Sequence, residues 1–244
     1  MRMNSFDVHM HTHHSYDSLL TPRTLVRTAT KAELSAIVVT DHNTTRGGFA
    51  CREASKTLGL ELDVHIGAEI KTEYGDVIGL FLNEEIRARR YHEVIDEISA
   101  QDGVVYLPHP YADSTHLKEM DLTRIQVLEA YNGRNNRHQN EQAFSLGRQL
   151  RLPVLGGSDS HLQYELGTVR NITDIDITDV DELRRIILDG TSSIQISPGK
   201  KPILPRFKMT QYMSWIRSHQ SERIVQRFLL FLQRQTKQAF SFIT

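Results

Sequence analysis

Short apolar runs rich in β-branched residues alternate with amphipathic segments along the first 190 or so residues of the chain. "FDVHMH" (6–11) is followed by a helical pattern over 22–34, and "SAIVVT" (35–40) by one over 46–58. "LDVHIGAEI" and "DVIGLFL" together precede a third over 89–101. "GVVYLP", "IQVLEAY" and "LPVLGGS" continue the series, with helical patterns near 138–150 and 179–189. Strand-length runs joined by helix-length segments predict repeated βα units and a mainly parallel sheet, closed as a barrel or open and doubly wound. Two helix starts carry local signals: Thr21 as a cap with Pro22 at the first helical position, and Thr178 as a cap with acids in the first turn.

The pattern changes at 198. "SPGKKPILPRF" holds three prolines and reads as a connector, and a long helical pattern runs from about 209 to 240. Residues 200–244 carry nine Lys/Arg against one acid, Glu222, while the whole chain has a formal charge of −1. The chain as a whole therefore has no large field for nucleic acid or an anionic membrane; only this tail is strongly basic. Trp215, Ile216, Ile224, Phe228, Phe231 and Leu232 recur at helical spacing. The expected boundary divides a barrel over 1–198 from a basic connector and helix over 199–244, packed on the barrel or on a partner subunit to form a homo-oligomer. A nucleic-acid or membrane arm is the alternative. Cys51 is the sole cysteine, so no internal disulfide can form. No signal-like region opens the chain, and "FLLFL" (228–232) is too short to span a bilayer, so the expectation is no membrane span and a cytoplasmic location.

Chemistry enters with the histidines. His9 and His11 stand two apart in a strand pattern, so both side chains leave one face and can converge on one ion. One such pair is a common coincidence. Its weight comes from recurrence, because Asp41, His42, Glu69, His109, Asp159 and His161 also fall where strand patterns end. In barrels and open α/β sheets those ends form one functional face, where residues remote in sequence meet. Mixed imidazoles and carboxylates suit Zn, Mn or Fe, and their number exceeds the needs of one tetrahedral ion, which points to two or three metals. Plainer roles are expected elsewhere. His13 and His14 read as loop residues, His65 as a hydrogen-bonded core histidine, and Asp41 as orienting His42 or a water, or else as an acid at a helix start. Gly156 and Gly157 read as room for a turn.

In that order, "HMHTHHSYDS", "TDHN", "GAEI", "LPHP", "LEAYNGR" and "GGSDSH" cover roughly residues 6–170 and together resemble the PHP (polymerase and histidinol phosphatase) domain family. The resemblance implies a distorted (β/α)7, TIM-like α/β barrel, here with a C-terminal helical extension. It also implies a di- or trinuclear site of divalent ions that hydrolyses phosphate esters. Carried over by motif, His9, His11 and Asp159 hold the first metal, Glu69 bridges to a second bound by His109, and Asp17, His42 and His161 hold the third. The first motif departs from the commoner "SDG" form: in "SYDS" the acid, Asp17, comes one residue later. The second metal lacks a third protein ligand, for which His138 and Glu129 are the candidates. The nucleophile is expected to be a metal-bound hydroxide, with Arg134 as the cation for phosphoryl oxygens and Asn132 orienting substrate.

The expected function is therefore metal-dependent hydrolysis of a small phosphorylated metabolite or nucleotide. Three other readings compete with it: a nuclease acting on oligonucleotides, aided by the basic tail; an amidohydrolase, which also uses an HxH pair but usually adds a bridging lysine; and a non-catalytic interaction module stabilised by metal. The intact candidate ligand set argues against the last.

Overall fold

The computed structural model of the chain describes residues 3–112 and 115–197. The basic segment 199–244 lies outside the described residues. In chain order the elements are β1 (Asn4–Asp7), α1 (Pro22–Lys31), β2 (Ala36–Val39), α2 (Arg46–Leu58), β3 (Asp63–Thr72), β4 (Gly75–Leu80) and α3 (Tyr91–Ala100). They continue with β5 (Val104–Leu107), β6 (Val127–Asn132), α4 (Arg137–Leu150), β7 (Val154–Gly157), β8 (Val169–Thr173), α5 (Val180–Asp189) and β9 (Ser193–Ile196). The strands form one sheet in the order β7-β6-β5-β4-β3-β2-β1-β8-β9. It curls into a nearly closed α/β barrel without seven equal βα units.

Among the described strands, the parallel pairs are β1–β2, β2–β3, β5–β6 and β6–β7. The sheet is thus less parallel than the alternating pattern predicts. Only Glu73 and Tyr74 separate β3 from β4, too few residues for a crossover, so those strands fold back as a hairpin. β4 must then also meet β5 in antiparallel fashion. The strands β8 and β9 are absent from the sequence-based expectation. β9 is largely exposed and β8 alternates between buried and half-buried positions, so neither offers the continuous apolar run that marks the other strands.

Helix boundaries follow local chemistry. Thr21 caps α1 by accepting from the Thr24 amide, with Pro22 at its first position. At α5 the cap is Asp179 rather than Thr178: its Oδ1 accepts from the Glu182 amide at 2.9 Å, as a carboxylate one residue later does directly. Against the sheet, α3 and α4 bury Tyr91, Ile95, Ile98, Ala143 and Leu146 on Ile66, Ile70 and Leu128. Leu25, Val26 and Cys51 of α1 and α2 pack on Ile37, Val39 and Val64. Phe6, Val8, Val38, Ile78, Leu80 and Leu155 form a further cluster with Leu183, Ile186 and Ile187 of α5. His65 is buried as expected and lies edge-on to Phe81, with ring centroids 5.5 Å apart. Its Nε2, however, has no hydrogen-bond partner among the described residues, and burial together with nearby Arg52 lowers its pKa to about 4. No described helix is long and apolar enough to cross a membrane.

Two devices close the barrel. Beyond the regular strands, the Asp159 amide donates to the His9 carbonyl and the His11 amide to the Ser160 carbonyl, joining the ends of β1 and β7. Below that seam the Asn171 side chain substitutes for a strand edge. Its amide nitrogen donates to the Gly156 carbonyl and its oxygen accepts from the Gly156 amide, both at 2.8 Å. Asn171→Ala would leave both backbone groups of Gly156 buried without partners. Urea unfolding should show a loss of about 3 kcal/mol. A loss within about 0.5 kcal/mol, the range of ordinary surface changes, would contradict this role.

Candidate metal centre

The candidate ligands leave the carboxyl ends of neighbouring strands. His9 and His11 follow β1, His42 follows β2, His109 follows β5, and Asp159 and His161 follow β7, while Glu69 lies within β3. A backbone bridge from His42 to Glu69 and hydrogen bonds between Met10 and Thr40 continue the sheet to this level. His109 and Asp159 both have positive φ, 25° and 50°. Such conformations are uncommon for residues with a side chain and collect at functional turns.

Asp41 has a different task from either expected for it. Its Oδ1 accepts from the Thr12 amide and from both the amide and hydroxyl of Ser15, and its Oδ2 accepts from the Thr12 hydroxyl. Asp41 thus clamps the loop after His11. Ser15 Oγ lies 3.2 Å from His11 Nδ1 and accepts from the His42 amide, so the clamp reaches the His11 ring and the His42 backbone indirectly. Gly47 packs so closely on the Asp41 carboxylate and Thr12 hydroxyl that any β-carbon would collide with them. His13 and His14 are exposed in this loop, stacked on one another.

Three overlapping groups gather: His9, His11 and Asp159; His9, Glu69 and His109; and His11, His42 and His161. His11 Nε2 lies 3.4 Å from both Glu69 Oε2 and Asp159 Oδ1, and His9 Nε2 lies 3.6 and 3.7 Å from the same atoms. His109 Nε2 is 2.8 Å from Glu69 Oε1. Asp17 Oδ2 stands 3.1 Å from His161 Nε2 and 3.4 Å from His42 Nε2, joining those two rings. All eight residues named from the sequence are therefore brought together: His9, His11, Asp17, His42, Glu69, His109, Asp159 and His161.

Behind them stands Glu129. Its Oε1 meets His9 Nδ1 at 2.8 Å, and its Oε2 accepts from the His109 amide and from Asn132 Nδ2. Both oxygens are occupied, so Glu129 orients His9 rather than completing the second group. Gly157 gives it room, since a β-carbon there would strike Glu129 and His9. His138 is exposed on α4 and belongs to none of the three groups. Asn132 is buried, its amide nitrogen shared between Glu129 and Asp159 and its oxygen accepting from the Arg134 amide. It is placed to position carboxylates more than to meet substrate. Arg134 reaches the rim, with a guanidinium nitrogen 2.5 Å from His161 Nδ1. Glu165 holds the turn of His161 by accepting two of its amides, and Ser18 donates to the carbonyls of His11 and His161. The roles of Glu129, Glu165 and Ser18 were not read from the sequence. An acid inside the apolar strand "VLEAY" was the one available signal, because a buried carboxylate needs a partner.

Electrostatics explain why these groups coexist. Burial pulls His9 toward neutrality, but Glu129, Asp159 and Glu69 outweigh it and hold its pKa well above the usual imidazole value. Burial is likewise overcome at His42 by Glu69 and Asp17, again raising the pKa. Despite burial, Glu69 is held well below the usual carboxylate range by His42, His9 and the hydrogen bond from His109, and Asp17 is lowered by His161 and His42. His11 differs: burial, His161 and His42 push it down to about 3, which leaves a neutral ring with a free lone pair.

Does a metal fit? Nε2 of His9 and of His11 and Oδ1 of Asp17 are buried with no hydrogen-bond partner among the described residues. Buried polar atoms are rarely left so. Two donors about 2.1 Å from a tetrahedral ion stand about 3.4 Å apart, close to the spacing of the His9, His11, Glu69 and Asp159 donors. The donor set fits divalent ions.

Fold and site together define an α/β barrel with a cluster of imidazoles and carboxylates able to hold metal ions at the carboxyl ends of its strands. A family model described as PHP-associated matches residues 137–192. An uncharacterised protein of Methanocaldococcus jannaschii is 36% identical over 141 residues, which are 51% of this chain and 81% of that protein. The chain belongs to the PHP domain family. A 5′-3′ exoribonuclease, Rnm, of Salmonella typhimurium is 43% identical over 67 residues, 28% of this chain and 22% of the exoribonuclease. Among solved structures, a two-domain Bacteroides vulgatus protein containing a predicted PHP-like metal-dependent phosphoesterase superposes with a TM-score of 0.67 at 20% identity, over 80% of this chain and 65% of that one.

Removing the Glu129 carboxylate should loosen His9 without deleting a ligand. Glu129→Ala is expected to weaken metal affinity about 10- to 100-fold, read by competition with a chromogenic chelator. Unchanged affinity in a folded variant would remove Glu129 from the site.

Proposed function

We propose that the chain hydrolyses phosphate esters of small phosphorylated metabolites or nucleotides at this centre, using two or three divalent ions such as Mn, Zn or Fe. The observation carrying this reading is the convergence of buried imidazole nitrogens, those of His9 and His11 without a hydrogen-bond partner, on shared carboxylates at the barrel mouth. In it, His9, His11 and Asp159 would hold one ion, Glu69 and His109 a second, and Asp17, His42 and His161 a third. When bound, such ions lower the pKa of water at the site and offset negative charge on a phosphoryl group.

The chain's own residues supply positioning. Glu129 accepts from Nδ1–H of His9 and so presents the Nε2 lone pair inward. His161 Nδ1 has two neighbours, the Asp159 carbonyl at 2.9 Å and Arg134 at 2.5 Å. A ring that ligates through Nε2 carries its proton on Nδ1 and donates to the carbonyl. Arg134, a donor only, then has no acceptor on that ring, and its planar fork is free to take phosphoryl oxygens. Tyr16 stacks on His42 with ring centroids 5.0 Å apart and is half exposed, which offers a base a flat surface beside the site.

The similarity to the exoribonuclease supports a second reading, hydrolysis of oligonucleotides at the same centre. Phosphate release from nucleotides and sugar phosphates, set against alcohol release from a model diester and mononucleotide release from a 5′-phosphorylated oligonucleotide, by chelated enzyme reloaded with Mn, Zn or Fe, distinguishes the readings. Metal-dependent turnover should fall at least about a hundredfold in the His9→Ala, His11→Ala variant. Turnover retained in that variant would overturn the site.

A further inference from the structure

We infer that a second anion-binding subsite adjoins the metal centre, formed by Arg46, Arg87 and Arg89 in a pocket that shares His42 with it, and that it takes the next phosphate of a 5′-phosphorylated oligonucleotide. The inference rests on the phosphoester reading above. The pocket has a volume of about 590 Å³ and lies between the start of α2 and the loop after β4. Because His42 lines it and also stands 3.4 Å from Asp17 in the metal centre, the two spaces are neighbours. A chain phosphorylated at one end and held there would extend its next charge into this pocket.

Three arginines and one carboxylate, that of Glu85, line the pocket. Glu85 is already engaged. Its Oε1 accepts from the Thr44 hydroxyl at 2.7 Å, and its Oε2 accepts from the Thr45 amide at 3.1 Å. Arg46 lies 3.8 Å from it, with a side chain 79% exposed, so that pair restrains Arg46 weakly. The pocket keeps an excess of positive charge.

A run of arginines on a surface loop is by itself unremarkable; this loop, however, is held in place. The amides of Arg87 and Ala88 donate to Glu97, and the Tyr91 amide donates to Glu73. Arg89 folds back so that one guanidinium nitrogen donates to the carbonyls of Ile86, Arg87 and Ala88. Its charge is thereby fixed against the loop, while Arg46 and Arg87 remain open to a ligand. Fixed and open guanidinium groups around a concavity suit a phosphate, which takes planar donors in pairs.

The test compares p-nitrophenyl phosphate, with one phosphate, and a 5′-phosphorylated dinucleotide, with two, on the metal-loaded full chain. For Arg46→Ala combined with Arg87→Ala, the KM of the dinucleotide should rise about tenfold or more with kcat unchanged. The KM of p-nitrophenyl phosphate should stay the same, which also reports an intact fold. Equal changes on both substrates, or no change on the dinucleotide, overturn the subsite. Should the wild-type enzyme turn over neither substrate, the phosphoester reading fails and binding tests the subsite alone. Anisotropy of a dye-labelled 5′-phosphorylated dinucleotide on metal-free full chain should then show binding about tenfold weaker in the double variant and weaker in salt. Equal binding by both proteins, or none by wild type, overturns it.

Discussion

Buried negative charge is the constraint on which this structure turns. Asp17, Glu69, Glu129 and Asp159 are all removed from water at one end of the barrel, within reach of one another through shared histidines. Carboxylates so placed require cations or protons, and they raise the pKa of His9 and of His42 for that reason. A divalent ion would perform the same neutralisation more strongly, and directly at Nε2 of His9 and of His11.

The barrel is built to hold that cluster rigid. Closure at the His9–Asp159 seam places the HxH pair against the turn that carries Asp159 and His161, and Asn171 bridges the gap below. Loops then lock onto the seam from outside: Asp41 on Thr12 and Ser15, Glu165 on the amides of His161 and Leu162, Ser18 between the two strand ends. Positive φ at His109 and Asp159 stores strain where side chains must turn inward, and the surrounding hydrogen bonds sustain it. Stability of the frame and geometry of the site are therefore one problem for this sequence.

Much of this was legible in the chain. The alternation of apolar runs and helical patterns located most of the core strands and all five described helices, and the ends of those runs named seven of the eight residues that meet; Asp17 came only from the resemblance to the PHP family. Pairing direction was less legible, because it depends on loop length: two residues between β3 and β4 reverse the strand, and that reversal spreads to β5. β8 and β9 escaped because partial burial thins the apolar signal. The supporting residues were the hardest to read. Glu129 looks like a further ligand until its oxygens are found on His9 and His109, Asn132 looks like a substrate contact until its amide is found between carboxylates, and Asp41 looks like a partner of His42 until it is found on the loop. Each distinction concerns where a side chain already makes its hydrogen bonds, which spacing along the chain does not record.

Crystals of the metal-free full chain soaked in manganese or zinc, with anomalous scattering recorded at the metal's absorption edge, test the central claim most directly. The account predicts at least two peaks inside the ring of imidazoles and carboxylates, one among His9, His11, Glu69 and Asp159 and another beside Asp17, His42 and His161. Ordered side chains around an empty cluster, with metal only on the protein surface, would contradict it.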